Sequence, residues 1–205
     1  KSDYDIIRNS LAYSGNLISL FSDTVVIVEG KEDAGFYPTI ERLLQNETAM
    51  LSFVKTTTGG NSGFHTSYNF FKLMGFKSIC IIGDLDCLFN TNFKNLLKVI
   101  SVDSSFIDEF RSDIGCSEAG QPSAEYVLTN IGRIDSETLN KKIDELGKSG
   151  VFILRNGTPE NYYSDAFKSA HVSGNPKKQW ELLTKKEDLD HLDEMEFILN
   201  SISHF

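Results

Sequence analysis

Thr24-Val25-Val26-Ile27-Val28-Glu29-Gly30-Lys31-Glu32-Asp33 is the stretch that decides the fold of this chain. Its first five residues are all β-branched, and side chains stiff at χ1 favour an extended backbone. No polar residue alternates with them, so they predict a strand buried on both faces, as in a parallel sheet covered by helices. Gly30 ends the run. Over 32–46, Phe36, Tyr37, Ile40, Leu43 and Leu44 then fall at helical spacing. That pattern predicts a helix packed back on the strand, with Pro38 marking a kink or a delayed start.

Outward from this unit the same alternation recurs. Met50 to Val54 reads as a strand, Gly63 to Met74 as a helix, and Ser78 to Ile82 as another strand. Residues 91–147 are mostly helical in pattern, with breaks around Gly115 to Pro122. Val151 to Leu154 returns as a buried strand, and 158–205 closes the chain as two or three helices. Upstream, Ile6, Ile7, Leu11, Leu17, Ile18 and Leu20 predict a lead-in helix over 5–20. Strands alternating with helices imply an α/β fold: a parallel-sheet core flanked by crossover helices, with helical additions. The expected organisation is a lead-in segment at 1–20, an α/β domain at 21–170 with a helical insertion at about 91–147, and C-terminal helices at 171–205.

Bulk properties narrow the function classes. Twenty basic against 29 acidic residues give a net charge of −9, which argues against a broad basic surface for nucleic acid. Carboxylates gathered around cations weaken that objection, because bound divalent ions reverse the local field. The run Glu187, Asp188, Asp190, Asp193, Glu194 and Glu196 is expected to be a solvated helix face. The three cysteines, Cys80, Cys87 and Cys116, lack C-x-x-C spacing and suggest neither disulfides nor zinc. With no long apolar run and no signal-peptide pattern, the expected setting is cytoplasmic, without a membrane. The chain opens at Lys1 rather than methionine and reads as a fragment of something longer.

In a parallel sheet, ligands bind outside the carboxyl ends of the strands. Two such ends are acidic here: Val28 runs into Glu29 and then Asp33, and Ile82 runs into Gly83-Asp84-Leu85-Asp86. A spacing of two puts Asp84 and Asp86 on one side of an extended chain. Asp33, one helical turn beyond Glu29, can face the same crevice. Carboxylates forced together cannot all stay ionised without a compensating cation, and hard oxygen donors suit Mg²⁺ or Mn²⁺. The plain alternative, acids that merely end a strand, fits a single Asp-x-Asp better than it fits the joint pattern.

The succession Val26-Ile27-Val28-Glu29-Gly30-Lys31-Glu32-Asp33, then Gly59-Gly60-Asn61-Ser62, then Ile81-Ile82-Gly83-Asp84-Leu85-Asp86 resembles the Toprim fold shared by topoisomerases, primases and the OLD (overcoming lysogenization defect) nucleases. More narrowly, Leu20-Phe21-Ser22-Asp23 and Leu154-Arg155-Asn156-Gly157-Thr158-Pro159-Glu160-Asn161-Tyr162-Tyr163 resemble the C-terminal nuclease domain of OLD family proteins. The resemblance implies a two-ion, Mg²⁺- or Mn²⁺-dependent DNA endonuclease, nicking or cutting both strands, with anti-phage defence as its setting. By that pattern Glu29, Asp33 and Asp84 hold one ion and Asp86 lies near the second, with Glu109, Glu118 and Glu125 the candidates for a further ligand. The catalytic set it implies is Glu29, Asp84, Asp86 and Arg155. OLD nucleases often carry a catalytic lysine where this chain has Arg155; the charge is kept, but a guanidinium does not give up its proton at ordinary pH.

OLD proteins normally carry an ABC-type ATPase domain before the nuclease domain. No phosphate-cradling G-x-x-x-x-G-K-[ST] occurs here, so the resemblance implies an ATPase domain or subunit N-terminal to this chain, and leaves homo-oligomerisation open. A topoisomerase or primase is the rival enzyme, the first needing a tyrosine nucleophile from another domain. A non-catalytic module that assembles with a partner ATPase is the rival of a different class. Gly60, Asn61 and Ser62 follow a strand and precede a helix, so their amides are candidates for a phosphate, though a plain turn fits them nearly as well. Lys168, Lys177 and Lys178, near Trp180, form the clearest basic stretch and are candidates for DNA contact, with a solvated helix as the alternative. His65, His191 and His204 carry no ligand spacing.

Overall fold

Four strands, β1 (Thr24–Val28), β2 (Leu51–Lys55), β3 (Ser78–Gly83) and β4 (Val151–Ile153), pair in the order β2-β1-β3-β4, all parallel. They are seen in a computed structural model that describes residues 24–44, 51–56, 60–116, 122–171 and 176–205. The expected lead-in helix over 5–20 lies outside those residues, as does Met50 at the start of the second expected strand.

Successive side chains of β1 point to opposite faces of the sheet. Val25 and Ile27 join one buried cluster, Val26 and Val28 another. On the first face lie α2 (Phe64–Leu73), α3 (Phe93–Val99), α4 (Phe106–Asp113), α5 (Ala124–Asn130) and α6 (Ser136–Gly147). They bring Phe71, Phe93, Leu97, Phe110, Val127 and Leu146 into the core. Of the helices expected within 91–147, α6 packs directly on β4, while α4 and α5 pack on the 3-10 turn Leu85–Phe89 that follows β3, and α3 packs on α2. On the second face, α1 (Asp33–Leu44), α7 (Asp165–Ala170) and α8 (Leu192–Ser203) contribute Phe36, Tyr37, Ile40, Phe167, Ile198 and Leu199.

Local chemistry places several of these helix starts. Ser123, Asp135 and Ser164 stand at N-caps and accept from the amides of Tyr126, Thr138 and Phe167, satisfying donors that the first turn leaves open. α1 begins at Asp33 and runs through Pro38, which is exposed. A 3-10 turn at Pro159–Tyr162 precedes α7, and 3-10 turns at Pro176–Leu182 and Lys186–Asp188 lie between α7 and α8.

The acidic run near the C-terminus departs from the solvated face expected of it. Glu187, Asp190, Asp193 and Glu196 are exposed, but Asp188 is buried and accepts from the amides of Thr184 and Lys185 at 3.0 and 3.1 Å. Glu194 also turns inward. Periodicity of charge does not register that backbone donors left over at a turn need an acceptor. Among the described residues, no helix is long and apolar enough to cross a membrane.

With β1 and β3 adjacent at the centre, the chain's crossovers leave in opposite directions from this pair. That is a topological switch point, where loops separate and a crevice opens at the carboxyl edge.

Candidate metal centre

Glu29 follows β1 and Asp84 follows β3, and because Ile27 pairs with Ile81 the two chain segments leave the sheet side by side in that crevice. The strand end at Glu29 is fixed from the β2 side. Buried Thr56 donates its amide to Val28 O at 2.9 Å and its hydroxyl to Glu29 O at 2.8 Å. Asp33 folds back from the first turn of α1, its Oδ2 accepting from Gly30 N at 2.8 Å. One carboxylate oxygen each of Glu29 and Asp86 and the Sγ of Cys87 lie within 4.8 Å of one another.

Asp84 is the electrostatic centre of the group. Burial first, and then the carboxylates of Asp33, Glu29, Asp86 and Glu160, hold its carboxyl well above the usual carboxylate range. Desolvation and like charges act in the same direction, because both penalise the ionised form. Two neutral walls complete the pocket. Burial, then Asp86, Glu29 and Asp84, pushes the Cys87 thiol up; burial, then Asp33 and Asp84, does the same to the Tyr37 phenol. Gly83 is buried, and Cys87 takes the space a side chain would need: a methyl on it would stand 2.9 Å from Cys87 Sγ. A group of carboxylates lined by neutral, buried side chains is a donor set for a hard divalent cation, which would relieve the repulsion while accepting oxygen ligands.

Sequence reasoning had quoted Glu160 only as a residue of the late motif, and had not singled out Thr56 or Tyr37. The signal for Glu160 was present, since it follows buried strand β4 as Asp33 and Asp86 follow theirs. Of the acids named within 91–147, Glu109 and Glu125 are exposed on α4 and α5, and Glu118 lies outside the described residues. Glu125 faces a shallow depression beside Thr158 and Asn161.

Arg155 is delivered to the carboxyl edge by β4, but its guanidinium turns outward to α6, donating to Asn140 Oδ1 and to Asp144 Oδ1. Its side chain is thus held by α6 in this structure. Gly60, at φ +66°, brings the loop after β2 against Glu29: a methyl on it would stand 3.7 Å from Glu29 Oε1. Asn61 opens the 3-10 turn Asn61–Gly63, and Ser62 within it is exposed. Lys168 is half-buried on α7, while the side chains of Lys177 and Lys178 lie outside the description.

Residues 20–86 match the family described as Overcoming lysogenization defect protein-like, TOPRIM domain. The chain carries an OLD-like Toprim domain. The matched span takes in Glu29, Asp33, Asp84 and Asp86. The fold is similar to that of the C-terminal region of the Xanthomonas campestris pv. campestris OLD protein, with 14% identity over 90% of this chain and 96% of that one and a TM-score of 0.50. The C-terminal region of the Burkholderia pseudomallei OLD protein aligns over 89% of this chain and 99% of its own, at 14% identity and a TM-score of 0.39. No match was found among curated proteins.

Proposed function

We propose that this Toprim domain is a DNA endonuclease that hydrolyses phosphodiester bonds with two Mg²⁺ or Mn²⁺ ions. The observation that supports it most strongly is the gathering of Glu29, Asp33, Asp86 and Glu160 around Asp84 at the switch point of the sheet. Glu29, Asp33 and Asp84 would hold one ion, and Asp86 with Glu160 the second. Bound ions would supply an activated water and neutralise charge on the attacking and leaving oxygens. The protein's own part is to hold the carboxylates rigidly. Thr56 anchors the backbone at Glu29, Gly30 N orients Asp33, and Cys87 and Tyr37 back the acids with buried side chains.

Cations in this crevice would draw a phosphate to a chain that is acidic overall. Gly60 borders the crevice beside Glu29, and in this reading its loop, with Asn61 and Ser62, would offer amides to the DNA backbone, Lys168, Lys177 and Lys178 adding basic contacts. An ABC-type ATPase domain or subunit as partner, and anti-phage defence as setting, complete the proposal. Supercoiled plasmid incubated with Mg²⁺ or Mn²⁺ should be nicked or linearised, and EDTA should stop it. Equal cleavage in EDTA would remove the two-ion reading.

Arg155 has a role in this proposal only if it exchanges partners. Its pairing with Asp144 is largely solvent-exposed, with side-chain exposures of 33% and 56%, and such pairs are worth at most about 1 kcal/mol. Release toward a phosphate is therefore cheap, and charge building on that phosphate would be stabilised by a guanidinium. Arg155→Ala should lower turnover about a hundredfold, the scale of one lost stabilising contact, with a melting temperature lowered by no more than about 4 °C. Arg155→Lys should recover most of the loss. Turnover of Arg155→Ala within a few-fold of wild type, measured by single-turnover cleavage, would leave Arg155 as a surface partner of α6.

A further inference from the structure

We infer that Glu194 is a positioning residue for the acidic centre, acting through the turn that follows β4; the inference rests on the reading of that centre as a metal site. Glu194 lies in the first turn of α8, where the helix dipole favours a carboxylate. Its Oε1 accepts from the amide of Arg155, and its Oε2 accepts from Asn156 Nδ2 and from the Tyr162 hydroxyl, each at 2.8 Å. One side chain thus grips both ends of the segment 155–162.

Two features of that segment reach the acids. Gly157, held at φ +109°, accepts through its carbonyl from Leu85 N at 3.0 Å, and Leu85 stands between Asp84 and Asp86. Glu160 sits on the 3-10 turn that ends at Tyr162, close enough for its charge to be felt at Asp84. The turn has little freedom of its own, since a methyl on Gly157 would stand 3.0 Å from both Asn161 Oδ1 and Leu128 Cδ1. Loosening it at 155, 156 and 162 would let the Asp84 to Asp86 loop and Glu160 drift together. Glu194 bonds the turn rather than the acids, so its effect is indirect.

Glu194→Gln keeps the shape but replaces one accepting oxygen with an NH₂ that cannot accept. Mn²⁺ affinity measured by calorimetry should fall about tenfold, and kcat at saturating Mn²⁺ should fall by a similar factor, the scale seen when groups that orient metal ligands are lost. KM for DNA should stay within about twofold, because no DNA-facing group has changed. Tyr162→Phe, which removes one of the three donors, should shift Mn²⁺ affinity in the same direction by less. In a Glu160→Gln background the Glu194→Gln effect should shrink, since groups acting through one element are not additive. A folded Glu194→Gln protein with wild-type Mn²⁺ affinity and kcat overturns the inference, as does a full-sized effect in the Glu160→Gln background. Wild-type protein that binds no Mn²⁺ would bring down the metal-site reading along with it; wild-type binding and cleavage matched by Glu194→Gln would bring down this inference alone.

Discussion

Asp84→Asn should abolish metal-dependent cleavage, by on the order of a thousandfold or more, while leaving the metal-free protein as stable as wild type or more so. Asparagine preserves the shape of the side chain and the backbone bond from Cys87 N to residue 84 O. It removes the charge that burial and four neighbouring carboxylates oppose. Without ions that charge is a liability of the folded state; with ions it is a central ligand whose loss withdraws several kcal/mol of transition-state stabilisation. Cleavage assays and metal-free thermal unfolding together make the prediction sharp. The melting temperature in EDTA should rise by roughly 2 °C or more, about what 1 kcal/mol does for a domain of this size. A folded Asp84→Asn protein that still cuts, or one that melts well below wild type in EDTA, would show the acids to be structural.

The centre was legible from sequence where local patterns coincide with topology. Val25 to Val28 and Ile79 to Ile82 are unbroken apolar runs, and acids at their ends must meet if the strands are neighbours, as Thr24 pairing with Ser78 makes them. Glu160 was harder to see. Its approach to Asp84 depends on β4 pairing beside β3 after some 70 residues of intervening chain and on the left-handed backbone at Gly157. Thr56 is a buried residue whose role comes from a hydroxyl bond to a carbonyl 27 residues away, which no periodicity records. Glu194 misled in the opposite direction. Its neighbours Asp193 and Glu196 are exposed, and only the three donors of the 155–162 segment, 32 to 39 residues distant, draw it inward. Arg155 follows β4, which carries its backbone to the carboxyl edge, but Asn140 and Asp144 on α6 decide where its side chain lies, and a strand pattern does not record such partners.

Adding Mn²⁺ to the metal-free protein at neutral pH should raise its melting temperature by several degrees, and the gain should fade as the pH is lowered. Ligand that binds only the folded state at about a hundred times its Kd adds about 2.7 kcal/mol, which for a domain of this length is roughly 5–10 °C. The pH dependence follows from the direction of the Asp84 shift. Its folded-state pKa is raised above that of the unfolded chain, so between the two values the folded protein holds more protons than the unfolded one. Stability of the metal-free protein must then fall as the pH rises through that window, with the carboxyl forced to ionise among Asp33, Glu29, Asp86 and Glu160. Metal reverses this, because it binds the ionised carboxylates and competes with their protons. Because the Asp84 carboxyl is held above the ordinary carboxylate range, the two melting curves should already approach each other before the pH falls to that range, and should diverge as the pH rises. Asp84→Asn should lose most of the divergence, since it lacks both the unfavourable charge and the ligand. An Mn²⁺ gain that is independent of pH, or that survives undiminished in Asp84→Asn, would place the bound ion somewhere other than this crevice.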